Sequence, residues 1–187
     1  MDDAHLDRVL IGGRERREIV IADYDPAWPE RFEVERARIA AVLGARALRI
    51  EHIGSTSVPG LAAKPIVDVL VEVGSLEDAG CLERAGYVLR VREDRHRMYR
   101  TPALDVHVHV WPSGSPSIAA DLAFRDRLRE SAEDRTAYEA LKRELATRDW
   151  PDMNHYADAK GPLIRQITAR YQGSTSEARD PGSHSEK

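Results

Sequence analysis

EHIGSTSVPGLAAKPIVDVLV, residues 51–71, is the stretch on which the reading of this chain turns. An apolar strand ends at Ile53, a turn rich in hydroxyls runs from Gly54 to Gly60, and a second apolar strand carries Asp68. Ser55, Thr56 and Ser57 sit beside a glycine that lets backbone N–H groups approach a ligand, a combination suited to phosphate oxygens. The same residues also describe a tight Pro-Gly turn with hydroxyl caps, and both readings stand at this point. Five residues separate Gly54 from Gly60, Lys64 does not follow the second glycine, and a strand follows where a helix is required, so this is not a Walker A loop. Val58 breaks the Gly-x-Ser-x-Gly pattern of a nucleophile elbow. Asp68 is flanked by Ile66, Val67, Val69, Leu70 and Val71. A carboxylate there needs a partner, a metal or a task.

Strand alternation puts Asp68, Leu70 and Glu72 on one face. Two carboxylates gripping Mg²⁺ between phosphates would want acids at both 68 and 70, and position 70 is leucine. Further on, Asp105-Val106-His107-Val108-His109-Val110-Trp111 alternates strictly. Asp105, His107 and His109 share a face and, if this strand neighbours the Asp68 strand, the polar faces converge. Two histidines at i, i+2 can ligate a metal, and a half-exposed strand with a wet face has the same pattern. A barrel hydrolase with His-x-His on a strand needs roughly 250 residues, and this chain is too helical after position 117. Arg125 and Arg129, one helical turn apart, could grip a phosphate, while most other basic residues, Lys142 and Lys160 among them, read as solvated surface. His52, beside the Gly54 turn, stands out among the lone histidines.

Outward from these strands, elements alternate. Glu18–Ala22 reads as a strand, and Asp25-Pro26 as the cap and first turn of a helix whose Trp28, Phe32, Ile39 and Leu43 form one face. Strands are expected at Ala47–Ile53, Pro65–Val73, Tyr87–Val91, His96–Arg100 and Leu104–Trp111, the last three as a meander. Ser75–Ala85 reads as a helix capped by Ser75 and stopped by Gly86. Three helices follow, at about Ser117–Arg129, about Glu133–Arg148, and around Leu163–Tyr171. The fold class is α+β: a mixed β-sheet with packed helices and a helical C-terminal section. Residues 1–17 read as a flexible arm, 18–172 as one domain and 173–187 as a disordered tail.

At 187 residues and 42% hydrophobic, the chain has room for one real core. A net charge of −4 argues against nucleic acid as the partner. Cys81 is the only cysteine, no apolar run reaches the about 18 residues of a membrane span, and the N-terminus does not read as a signal peptide, so the expected location is cytoplasmic.

EHIGSTSVPGLAAKPIVD (51–68) resembles the signature of the GrpB family. So do Tyr24–Trp28, His107–Val110, Leu122–Arg129, Tyr138–Lys142 and Tyr156–Lys160, in the right order across about Ile19 to Tyr171. The resemblance implies a fold of the nucleotidyltransferase type, similar to the DNA polymerase β superfamily. There a Gly-Ser turn precedes a strand bearing Asp-x-Asp or Asp-x-Glu. It implies that Gly54, Ser55 and Ser57 hold a triphosphate with help from Lys64 and Arg125. Asp68 is the first acid, and Asp105 is a candidate for the acid of a later strand. Leu70 stands where the second acid belongs. The resemblance therefore implies a single Mg²⁺ on Asp68 with Asp105 or with His107 and His109. The expected activity is transfer of a nucleotidyl group to a small molecule. The alternative is a non-catalytic nucleotide- or CoA-type binding domain, since a similar domain is fused to dephospho-CoA kinase in some proteins.

Overall fold

The computed structural model describes residues 2–177. In chain order its elements are α1 (Asp3–Val9), α2 (Trp28–Leu43), β1 (Ala47–Ile53), β2 (Val67–Val73), β3 (Val88–Glu93), β4 (His96–Arg100), β5 (Val106–Pro112), α3 (Pro116–Glu130), α4 (Ala132–Ala146), α5 (Met153–Ala159) and α6 (Gly161–Glu177). The five strands form one mixed sheet in the order β1-β2-β5-β4-β3. β2 and β5 run parallel, and every other pair is antiparallel. This is the expected α+β architecture: a mixed sheet, packed helices and a helical C-terminal section.

The two faces of the sheet differ because β2 alternates. Val67, Val69, Val71 and Val73 are all fully buried under Phe32, Ile39 and Leu43 of α2 and under Ala79 and Leu82. Each such side chain contributes roughly 1.5–3 kcal/mol by leaving water. On the opposite face Leu70 is buried with Ile53 and Ile118, and Asp68 is half-buried beside it. A further cluster, Val58, Leu61, Leu128, Tyr138 and Ile167, anchors the C-terminal helices to the segment that follows the Gly54 turn.

Several boundaries differ from the sequence expectation. The N-terminal segment is folded rather than loose: α1 buries Leu6, Leu10 bridges Val91, and the buried Arg90 guanidinium donates to the Ile11 and Gly13 carbonyls. Residues 18–22 make a single bridge, Ala22 to Ala63, and no strand, because Val20 is exposed and has no face to cover. The helix expected from Pro26 starts at Trp28, since the Asp25 carboxylate instead accepts from Ala27 N at 2.9 Å and closes the preceding turn. Leu76–Ala85, capped by Ser75 and ended by Gly86 in the left-handed region, is a 3₁₀ helix. α5 was not anticipated, and Gly161-Pro162 starts α6. α6 extends through Glu177 into the expected tail, whose remainder, residues 178–187, lies outside the described residues. No helix among the described residues is long and apolar enough to cross a membrane.

Candidate functional site

The parallel register of β2 and β5 sets Asp68 beside His107 and Leu70 beside His109. Asp68 Oδ1 is 3.4 Å from His107 Nδ1 and 3.8 Å from His109 Nε2. Its other oxygen packs on Gly54. A Cβ built at Gly54 would run into Asp68 Oδ2 and come within 2.9 Å of Asp68 Cβ. Gly54 has φ 69 and ψ −174, a region that glycine alone occupies freely. The glycine is thus required twice, once for the turn and once for the carboxylate lying against it. Burial disfavours the Asp68 charge, but hydrogen bonding and charge from His107 and His109 outweigh it and hold the carboxyl well below its usual range. Burial also pushes His109 down, and there Asp68 and Asp121 prevail and raise it.

His109 is backed by a second histidine. His96 Nε2 lies 3.3 Å from His109 Nδ1, and His96 Nδ1 lies 3.1 Å from Glu93 Oε2. The His96 ring stacks on Trp111 at 4.0 Å between centroids. Burial, with the neighbouring His109, drops His96 to about 4. Asp121, from α3, lines the same cleft; burial pushes its carboxyl up to about 6, with Asp68 adding to the rise and His109 opposing it.

These residues form one wall of a cleft of about 1220 Å³. Lys64 and Lys160 line it near Tyr156, their Nζ atoms 5.4 and 4.6 Å from the ring centroid. Neither ammonium has a carboxylate partner among the described residues. Burial first, and then Lys160, lowers Lys64 to about 8, and burial lowers Lys160 as well. Lys142, expected at the surface, is 2% exposed. It donates to the Ala62 carbonyl and stacks on Tyr138, and burial lowers it to about 7. The Tyr156 hydroxyl and Trp111 Nε1 are buried in the cleft lining with no hydrogen-bond partner among the described residues.

Of the residues singled out in the sequence, Gly54, Ser55, Lys64, Asp68, His107 and His109 meet in this cleft, and Ser57, Arg125, Asp105 and His52 do not contribute to it as expected. The Ser57 hydroxyl is buried and donates to the Gly54 carbonyl at 2.6 Å, so it braces the turn. Arg125 points away, bonding Glu51 at 2.9 Å, the His52 carbonyl at 3.1 Å and Asp126 at 2.7 Å. Asp105 reaches the cleft rim, but Arg31 holds it at 2.9 Å and Thr101 donates to it at 2.6 Å, so it stays out of the Asp68 cluster. His52 faces the other side of the sheet, stacked on Phe32 at 4.7 Å and bonded to Thr56. Sequence reasoning gave no site role to Asp121, His96 or Tyr156 and read Lys160 as solvated surface, whereas it lines the cleft. The available signal was Tyr-x-x-x-Lys, which recurs at Tyr138–Lys142 and Tyr156–Lys160 and puts ring and ammonium on one helix face.

Asp68, His107 and His109 offer three donor atoms within 4.8 Å of one another. Mg²⁺, the ion implied by the sequence resemblance, prefers octahedral oxygen ligation. One carboxylate and two imidazoles do not fit it. The second acid is absent because Leu70 points into an apolar cluster.

A family model described as GrpB protein matches residues 18–170. A UPF0157 protein of Streptomyces coelicolor is 52% identical over 86% of this chain and 88% of its own length. The crystal structure of conserved protein GrpB from Enterococcus faecalis superposes with a TM-score of 0.74 at 35% identity, covering 83% of this chain and 99% of that one. A dephospho-CoA kinase of Mycolicibacterium paratuberculosis is 30% identical over 78% of this chain, which spans 44% of that protein.

Proposed function

Because this chain belongs to the GrpB family, we propose that its cleft binds a nucleotide, or a similarly phosphorylated small molecule, and hands a nucleotidyl group to a small-molecule acceptor. The observation that carries this reading is the convergence on one cleft of the Gly54–Ser55 turn, two lysines with no carboxylate partner among the described residues, and the Asp68–His107–His109 group. The phosphates lie between the turn and Lys64 with Lys160, whose ammonium groups offset their charge. The Tyr156 hydroxyl supplies a hydrogen-bond donor. The acceptor's hydroxyl oxygen bonds to the α-phosphorus, the bond from that phosphorus to the bridging oxygen breaks, and pyrophosphate leaves toward the lysines. Asp121 takes the hydroxyl proton, its carboxyl at about 6 suiting a base at neutral pH.

The test is incubation with each labelled ribonucleoside triphosphate, Mg²⁺ or Mn²⁺, and a metabolite extract. Transfer of label that is lost in Asp121→Asn and Lys64→Ala supports the reading, and no transfer with any nucleotide defeats it. A second reading is favoured by Leu70: a non-catalytic nucleotide- or CoA-type binding domain, working beside a partner such as dephospho-CoA kinase. Its signature is a thermal shift with nucleotide or CoA that persists without divalent cations and in Asp121→Asn. The setting for either role is the cytoplasm.

A further inference from the structure

We propose that Asp68, His107 and His109 form a binding site for one borderline transition-metal ion of the Zn²⁺, Co²⁺ or Fe²⁺ class, and that His96 and Glu93 are positioning residues for it. The inference goes beyond nucleotidyl transfer and does not depend on which ligand fills the cleft.

The donor set is the first argument. Imidazole nitrogen suits these ions, and two imidazoles with one carboxylate leave coordination positions free. Tetrahedral ligands at roughly 2.0–2.2 Å from an ion lie about 3.4 Å from one another. The Asp68–His107 pair already has that spacing at 3.4 Å, and the Asp68–His109 pair is near it at 3.8 Å. All three side chains line the cleft, so a free coordination position opens onto the space where a ligand sits.

The second argument is independent and lies behind His109. Glu93, a carboxylate, accepts from His96 Nδ1–H, which leaves His96 Nε2 as an acceptor. His96 Nε2 then accepts from His109 Nδ1–H. The hydrogen-bond partners therefore assign the tautomers along the relay. His109 Nε2, the nitrogen facing Asp68, is thereby the one left for an ion, which displaces its proton on binding; this is the arrangement of a metal-ligating histidine held by an outer carboxylate. Stacking of His96 on Trp111 fixes the plane of the relay.

The experiment uses the full chain, stripped with a chelator and titrated with Co²⁺, reading the visible d–d absorption. The expected result is one Co²⁺ per chain, displaced by Zn²⁺ and not by a large excess of Mg²⁺, and lost in His107→Ala and His109→Ala. His96→Ala and Glu93→Gln keep the d–d band but weaken Co²⁺ binding by roughly 10–100-fold. If the histidine variants do not fold, X-ray absorption of the wild-type Co²⁺ complex reads the ligands directly, and two imidazole nitrogens at roughly 2.0–2.1 Å are expected. An all-oxygen shell, ready displacement by Mg²⁺, or Co²⁺ binding that survives loss of both histidines overturns the proposal. Unchanged affinity in His96→Ala overturns the positioning role alone.

Discussion

Gly54 and Leu70 decide most of what Asp68 can do. Gly54→Ala meets both a forbidden backbone region and the Asp68 side chain. It should cost roughly 1–3 kcal/mol in chemical denaturation and remove any nucleotide-induced thermal shift. Leu70→Asp puts a carboxylate where the second acid is missing. Leu70 is fully buried against Ile53 and Ile118, so the change removes core packing and desolvates a charge at once. We expect a loss of at least roughly 2–5 kcal/mol and no gain in transfer activity; a stable, active variant would contradict this. At this scale the sequence was informative where period decides orientation. Alternation along both strands placed Asp68, His107 and His109 correctly. It could not place Ser57, Arg125 or Asp105 in use, because each is claimed by a local partner that period does not encode: a carbonyl one turn back, a glutamate on β1 and an arginine on α2.

Among the elements, the strands were read well and the N-terminus poorly. Apolar runs such as 67–73 announce themselves, whereas α1 has one buried residue, Leu6, and docks mainly through polar contacts. The segment just after it satisfies Arg90, which is 5% exposed, through the Ile11 and Gly13 carbonyls. Deleting residues 2–13 leaves that guanidinium without its carbonyls, and each buried donor so abandoned costs about 1–3 kcal/mol. The truncated chain should melt well below the full one, and Arg90→Met within the truncation should recover part of the difference. If the melting temperatures coincide, α1 is ornamental. α5 escaped notice because a helix of two turns, Met153–Ala159, offers too few positions for a 3.6-residue period to show.

Across the whole molecule, a net charge of −4 conceals a basic cleft. Lys64 at about 8, Lys142 at about 7 and the likewise lowered Lys160 all bind protons more weakly when folded than when unfolded. Between about pH 7 and 10 the unfolded chain therefore holds more protons, and stability should rise with pH. Above about 10 the trend should reverse, because burial raises Tyr138 and Tyr156 and the folded chain then keeps the extra protons. A bound anion favours charged lysines, so pyrophosphate should stabilise more at pH 7 than at pH 9. Calorimetric melts across this range with and without pyrophosphate read both signs, and a flat profile would mean that the lysines are solvated after all.

The parallel pairing of β2 with β5 has a consequence in time. Asp68 and His107 are neighbours only after the entire β3–β4 hairpin has been threaded between their strands in sequence. Closing so long a loop is entropically costly, and such contacts form late. A ligand that touches both residues is blind to every partly folded intermediate and to any nascent chain that ends before Val106. Binding in this cleft would thus serve as a clock, striking only when folding is complete.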